Sequence, residues 1–177
     1  MKLSKLMLGA SLAVALANPV FAQTKMTSGE IGTLATIAAI DKNEILVSVV
    51  ATNKKVSSDV ADFANMMIKQ HGDNLNQILE MAGTMHVAAL TGGEADKMAT
   101  AGRKDMMTLG ALDGDKFGVA YVNAMVSGHE GALNLIDKQL MKTAKSDEMK
   151  KFLTDTRAAV VTHLEHAKKL QADMKTS

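Results

Sequence analysis

The chain has 177 residues, with 20 Lys and Arg side chains against 19 Asp and Glu and a formal net charge of +1. These charges are interspersed, which excludes the basic surface of a nucleic-acid-binding protein, so no nucleic acid is expected as a partner. The chain has no cysteine, which excludes disulfides, lipid attachment at a thiol and thiol chemistry.

The first 22 residues have the pattern of a secretory signal peptide. Lys2 and Lys5 precede the apolar run 6–17, and residues 20–22 supply small or apolar side chains before a cleavage site. The run is too short to cross a bilayer as a helix. We therefore predict cleavage after Ala22 and a periplasmic or secreted protein that keeps no transmembrane anchor.

The remaining segment, residues 23–177, is predicted to be one domain. The single proline of the chain, Pro19, lies before this segment, which keeps only four of the five aromatic residues. Because proline breaks helices and aromatic residues favour strands, this composition favours long helices over a β-sandwich. The length is sufficient for one hydrophobic core.

The first predicted helix runs from about Ser28 to Asn53, with Glu44 inside its apolar stripe. A serine at position 57 or 58 can cap the second helix, and Gly83 is expected to end it. Residues 84–114 contain turn signals around a shorter predicted helix over 94–109.

Asp115 is expected to cap the third long helix and Ser146 the fourth. The apolar residues of these segments recur at the spacing of a helix face, and no segment has the alternation of a strand. The predicted fold class is therefore all-α: a ferritin-like four-helix bundle with one extra short helix in the crossover between long helices 2 and 3.

Two segments share one pattern, residues 65–78 and residues 123–136. In each, a histidine (His71 or His129) has a methionine four residues before it, Met67 or Met125, with a leucine four residues after it and an isoleucine seven residues after it. These offsets place the four side chains on one helix face, so an imidazole interrupts each apolar stripe.

Glu44, His71, His129 and His163 lie near the middle of their predicted helices, one on each. Because helices that alternate in direction agree in height only near the middle, we expect these four side chains to form one layer across the bundle. Clustering would let the polar groups satisfy one another and fix the register of the helices, which is the structural interpretation.

The alternative is that this layer binds a metal ion, since three imidazoles and a carboxylate are typical ligands. Thioethers beside imidazoles suit Cu(I), so Met67 and Met125 make copper the leading candidate, and zinc is the other. A di-iron site is disfavoured because no Glu is followed by His three residues later. The 12 methionines of residues 23–177 can equally serve as core filling.

Three sequence motifs resemble an exported family called domain of unknown function 4142, whose members are often labelled outer membrane proteins. The motifs are Phe63-Ala64-x-Met66-Met67-Ile68-x-x-His71, Phe117-x-x-x-Tyr121-x-x-x-Met125-Val126-x-x-His129 and His163-Leu164-x-x-Ala167. The resemblance covers nearly all of residues 28–173 and implies a ferritin-like bundle. In that family an Asp commonly precedes each of the first two histidines, whereas here these positions are Gln70 and Gly128.

The sequence favours a non-enzymatic role, because it contains no nucleophile motif or phosphate-binding loop. Two functions remain open: a binding protein concerned with envelope stress or maintenance, and a metal-binding protein that uses the mid-bundle layer. No motif in the sequence specifies a protein partner.

Overall fold

The computed structural model describes residues 25–176, and the predicted signal peptide lies outside the described residues. The helices are α1 Ser28–Thr52, α2 Ser58–Thr84, α3 Glu94–Gly110, α4 Gly114–Leu135, α5 Met141–Thr143 and α6 Asp147–Thr176. A π-helical turn, Ile136–Leu140, joins α4 to α5. The prediction of an all-α bundle is confirmed, and the described residues contain no strand.

Side-chain caps explain where several helices begin. Thr27 caps α1 and forms a capping box with Glu30. The predicted serine cap of α2 is Ser57, whose hydroxyl accepts a hydrogen bond from Val60 N. Ser146 caps α6 in the same way, through Met149 N.

Two boundaries differ from the sequence expectation. Helix α4 begins after Asp113, and Asp115 lies inside its first turn. Gly114 has a φ of +56°, a backbone conformation that glycine adopts without strain, so the helix starts one residue earlier than the predicted cap. Helix α2 continues through Gly83 to Thr84, because Gly83 does not adopt the positive φ of a glycine that ends a helix.

Contacts at the two ends of the bundle define the helix directions. At one end, Glu30 near the start of α1 accepts hydrogen bonds from Ser146 at the start of α6. At the other end, Gly114 at the start of α4 lies beside the Lys55 backbone, which follows the end of α1. Helices α1 and α6 therefore run parallel, and α2 and α4 run in the opposite direction.

Residues 85–113 must return the chain from the end of α2 to the opposite end of the bundle, and α3 occupies this crossover. The helix packs mainly on α1, and of its own residues only Ala95 and Leu109 are buried. A long crossover between the second and third long helices is the connection expected for a ferritin-like bundle.

The hydrophobic core consists of two clusters. One contains Val47, Met67 and Met125 with the aromatic side chains of α2 and α4. The other contains Leu34, Ile37, Ile78, Ile136 and Phe152. Along α1, α2 and α4, the residues between the two clusters include Glu44, His71 and His129, so a polar layer separates two apolar ones.

A helix that crosses a membrane needs about 20 consecutive residues that are mostly apolar. None of the helices in residues 25–176 combines the length and the apolar character that crossing a membrane requires.

Candidate metal centre

Three histidines from three helices meet at the middle of the bundle. His71 on α2, His129 on α4 and His163 on α6 are 5%, 2% and 2% exposed. Their ring centroids are 5.1 to 5.8 Å apart, and one ring nitrogen from each lies within 4.8 Å of the other two. The structure therefore brings together the three histidines that the sequence placed in one layer.

His71 is held by a carboxylate from α1. Its Nδ1 donates a hydrogen bond of 2.8 Å to Oδ1 of Asp41, which is 2% exposed. The other carboxylate oxygen accepts a hydrogen bond from Asn74 Nδ2, and Asn74 Oδ1 accepts one from the Thr156 hydroxyl. This chain of hydrogen bonds fixes the tautomer of His71 and leaves its Nε2 without a proton in the neutral ring.

His129 is oriented by the backbone of its own helix. Its Nδ1 lies 2.8 Å from the carbonyl oxygen of Met125, one turn earlier. A carbonyl only accepts, so Nδ1 carries the proton, and Nε2 of the neutral ring has a lone pair. That Nε2 lies 3.3 Å from Nδ1 of His163.

His163 is oriented by Gln70. The amide oxygen of Gln70 lies 2.7 Å from Nε2 of His163. With Nε2 donating to that oxygen, Nδ1 of His163 has a lone pair that faces the lone pair of His129. Two acceptors at 3.3 Å repel unless a proton or a cation lies between them. The arrangement therefore favours a positively charged ligand at the centre of the three rings.

Glu44 on α1 lines the same cavity as the three histidines. Its Oε2 is buried without a hydrogen-bond partner among the described residues, and so is Nε2 of His71. A buried polar atom left unpaired costs about 1–3 kcal/mol. In the neutral ring Nε2 of His71 is an acceptor, as Oε2 of Glu44 is, so one cation could satisfy both atoms.

The cavity has a volume of about 40 Å³, with Ile37, Ile40 and Val160 among the apolar side chains that line it. A low-dielectric wall of this kind strengthens the interaction between a cation and its ligands.

The three imidazoles have different proton affinities. Burial alone lowers the pKa of His71, but the hydrogen bond from His71 to Asp41 and the charges of Glu44 and Asp41 offset this effect, and the pKa is raised. Burial lowers the pKa of His129. Burial and the neighbouring imidazoles lower the pKa of His163 to about 3. At neutral pH His129 and His163 are therefore unprotonated and available as ligands, whereas a cation would have to replace the proton that the raised pKa of His71 favours on its Nε2.

Met67 and Met125 precede the clustered histidines by one helical turn and are 0% and 3% exposed. Both side chains pack in the hydrophobic cluster that contains Phe63 and Tyr121, and neither lines the cavity of the histidines. Met125 contributes to the site through its backbone carbonyl.

The other two histidines lie outside the cluster. His86 is exposed in the crossover, with a φ of +54°. His166 is half-buried with its ring edge against Phe63, at a centroid distance of 5.0 Å.

Asp41 and Gln70 were not singled out as orienting residues by the sequence. Asp41 lies three residues before Glu44 and follows a buried apolar run, so an isolated carboxylate on the inner face of a helix was an available signal. Gln70 is exposed. It contacts His163, which is 93 positions later, and the spacing of residues within one helix cannot predict such a contact.

These features define a class: an α-helical bundle with a buried cluster of three oriented imidazoles and one carboxylate. The chain belongs to the family described as a domain of unknown function (DUF4142), whose model matches residues 15–170. The family resemblance found in the sequence is thus confirmed. No curated protein and no solved structure matches the chain.

Proposed function

We propose that this protein binds one divalent transition-metal ion between His71, His129 and His163, with Glu44 as the fourth ligand. The observation that carries the proposal is the pair of buried acceptors without partners, Nε2 of His71 and Oε2 of Glu44, beside two facing imidazole lone pairs. A cation would pair with the three ring nitrogens, which lie within 4.8 Å of one another, and a movement of the Glu44 side chain would add its carboxylate. When bound, the ion would supply Lewis acidity and would link the helices of the bundle.

The distances support the three imidazoles of this ligand set. A tetrahedral ion with metal–nitrogen bonds of about 2.0–2.1 Å holds its nitrogen ligands roughly 3.3–3.4 Å apart. His129 Nε2 and His163 Nδ1 are already 3.3 Å apart. The nitrogen of His71 lies within 4.8 Å of both, so a modest inward movement of this ring completes the site.

The orienting groups also support it. Metal-binding histidines usually donate their second ring proton to a carboxylate or a carbonyl oxygen. Here His71 donates to Asp41, His129 to the Met125 carbonyl and His163 to Gln70. Three nitrogens with one carboxylate match Zn²⁺, which we propose as the preferred ion.

Copper is the second candidate, because imidazoles bind Cu²⁺ more tightly than Zn²⁺ at most sites. A Cu(I) site that uses the thioethers of Met67 and Met125 would require both side chains to leave the hydrophobic cluster. The proposal therefore favours the imidazole and carboxylate ligands over the thioethers. The signal-peptide pattern supports the further proposal that the ion is held outside the cytoplasm, in the periplasm or after secretion.

The test is metal binding by protein without an affinity tag. We expect one Zn²⁺ per chain by elemental analysis after dialysis. At 100 times the dissociation constant, the ion should stabilise the fold by about 2.7 kcal/mol. For a chain of this size, that stabilisation raises the melting temperature by roughly 5–10 °C.

Two variants complete the experiment. His163→Ala should abolish the thermal shift, whereas His86→Ala should keep it, because His86 is exposed outside the cluster. If Zn²⁺ and Cu²⁺ leave the wild-type melting temperature unchanged, the histidine layer has only a structural role. The protein would then be the non-enzymatic bundle, concerned with envelope stress or maintenance, that the sequence leaves open.

A further inference from the structure

A groove on the surface of the bundle lies next to the buried histidine cavity. Residues of α1, α3 and α4 line this groove, which has a volume of about 390 Å³. It is larger than the cavity, which has about 40 Å³. Four residues line both spaces: Ile40, Glu44, Gly128 and Ala132. The groove and the cavity therefore share one wall.

Glu44 meets Gly128 in this shared wall. Gly128 has no side chain, and a Cβ added there would lie 3.4 Å from Oε1 of Glu44. The Glu44 carboxylate thus lies between the groove and the histidines, and its Oε2 has no hydrogen-bond partner among the described residues. Of the four residues that line both spaces, Glu44 is the one whose side chain can bind a cation.

The outer part of the groove offers oxygen ligands. Asp105 on α3, Ser127 and Asn134 on α4 and Asn43 on α1 line it. Carboxylate, hydroxyl and amide oxygens bind hydrated divalent cations weakly and exchange them readily. A single carboxylate at the mouth of a cleft also attracts cations over a longer range.

Helix α3 forms the outer edge of this groove. Asn43 Nδ2 donates a hydrogen bond of 2.8 Å to the backbone oxygen of Met98. Gly102 lets the two helices approach, since a Cβ there would lie 2.0 Å from the Asn43 side chain. The position of α3, and with it the position of Asp105, is therefore set by contact with α1.

We propose that this groove is the access route for the metal ion, and that Glu44 transfers a hydrated divalent cation from the groove to the histidines. The inference rests on the proposed function. It adds a second, weaker cation-binding position at the surface and assigns α3 a role in loading the ion. No bond other than metal–ligand bonds is formed or broken, and water is the leaving ligand.

Gly131 provides the test, because it lines the groove but not the cavity, and a Cβ there meets nothing within 4 Å. Gly131→Leu should narrow the route without touching the histidines. The matched control is Gly83→Leu, also an exposed glycine on a helix with open space around it, on α2 away from the groove. Stopped-flow mixing with Zn²⁺ gives the loading rate, and transfer to a chelator in excess gives the release rate.

We expect Gly131→Leu to slow loading and release by about tenfold each, because a higher barrier affects both directions equally. The dissociation constant should stay within about twofold of the wild-type value, since the ligands are unchanged. Gly83→Leu should match the wild type in both rates. Asp105→Asn should slow loading at low salt more than Asp96→Asn, an exposed acid on α3 outside the groove.

Equal rates in Gly131→Leu and Gly83→Leu would overturn the access route while leaving metal binding intact. A larger dissociation constant in Gly131→Leu with an unchanged loading rate would also overturn the access route. The substitution would then act on the histidine site itself. If the wild-type protein binds neither Zn²⁺ nor Cu²⁺, the proposed function fails, and the access route fails with it.

Discussion

His71 donates a hydrogen bond of 2.8 Å to Asp41, a residue 30 positions earlier on the neighbouring helix. Both side chains are almost completely buried, at 5% and 2% exposed. The carboxylate determines which nitrogen of His71 has the proton and directs the other nitrogen to the centre of the cluster. Among the residues that are not proposed ligands, we therefore expect Asp41 to have the largest influence on metal affinity.

The first prediction is that Asp41→Asn weakens Zn²⁺ binding by about 10–100-fold, the usual cost of losing an orienting carboxylate. It should also lower the pKa of His71, because the negative charge and the hydrogen bond of Asp41 both raise that pKa. Competition with a chelator measures the affinity, and NMR titration of the imidazole measures the pKa.

The control for this prediction is Asp137→Asn, which removes an exposed carboxylate that pairs with Arg157 at 2.7 and 3.0 Å. This variant should bind Zn²⁺ as the wild type does. A loss of stability in Asp41→Asn without a change in affinity or in the His71 pKa would show that Asp41 does not act through His71.

The second prediction concerns Gln70, whose amide oxygen lies 2.7 Å from Nε2 of His163. An ionised glutamate can only accept hydrogen bonds. Gln70→Glu should therefore hold the proton on Nε2 of His163 and leave the lone pair on Nδ1 of His163 for the metal. We expect Zn²⁺ affinity to rise several-fold in Gln70→Glu and to fall by about tenfold in Gln70→Leu. Chelator competition at pH 7.5 measures both changes.

Gln77→Glu is the matched control, because it adds the same charge to an exposed position two turns further along α2. If Gln77→Glu raises the affinity as much as Gln70→Glu, the effect comes from net charge alone. A lower affinity in Gln70→Glu would indicate that Gln70 donates to His163 through its amide nitrogen.

The third prediction concerns Glu30, which is 2% exposed and joins the start of α1 to the start of α6. One carboxylate oxygen accepts hydrogen bonds from Thr27, and the other accepts them from Lys145 N and from Ser146. Burial alone would raise the pKa of Glu30, but these hydrogen bonds outweigh it and lower the pKa from 4.5 to about 2. The folded state therefore binds the proton more weakly than the unfolded chain does.

A carboxyl whose pKa is lowered by folding stabilises the protein above its unfolded pKa of 4.5, and this stability is lost as the pH falls towards about 2. A shift of this size corresponds to about 3 kcal/mol. Glu30→Gln, which turns an amide NH₂ towards the same donors, should lower the free energy of unfolding by about that amount at pH 7. Urea denaturation should show the difference from wild type shrinking between pH 4.5 and pH 2.

Glu80→Gln is the control for Glu30, since Glu80 is exposed on α2. Its free energy of unfolding should follow the wild type across the same pH range. A pH-independent difference between Glu30→Gln and the wild type would contradict the assigned role of the carboxylate charge.

The sequence predicted the bundle because each long helix has an apolar stripe at helical spacing, and local spacing is sufficient to define a helix face. It predicted the histidine cluster because each imidazole interrupts such a stripe near the middle of its helix. The π-helical turn Ile136–Leu140 was not predicted, since the apolar positions 136 and 140 read as a continuous α-helix.

The orienting residues of the site could not be read from spacing. The Asp41–His71 contact joins two helices, and the Gln70–His163 contact joins residues 93 positions apart. Such pairs depend on helix rotation and packing, which a periodic pattern leaves undetermined. Gln70 stands where the resembled family commonly has an Asp, and here its amide oxygen provides the acceptor that a carboxylate would provide.

The last prediction separates the stability of the histidine layer from its binding of metal. His129→Ala or His163→Ala should each cost about 2–4 kcal/mol, because each leaves a small cavity and an unpaired polar group. The double variant His129→Leu/His163→Leu replaces the facing pair with apolar packing. It should cost much less than the two alanine variants added together, because Gln70 is exposed and can turn to water.

His71→Leu should behave differently from that double variant. It leaves Asp41 as a buried charge without its imidazole, so it should cost about 3–5 kcal/mol despite its apolar replacement. Urea denaturation without metal measures these costs. Adding Zn²⁺ should then raise the melting temperature of the wild type and leave that of the double leucine variant unchanged, because two of the four ligands are gone. A Zn²⁺-dependent shift that survives in the double variant would place the ion elsewhere in the protein.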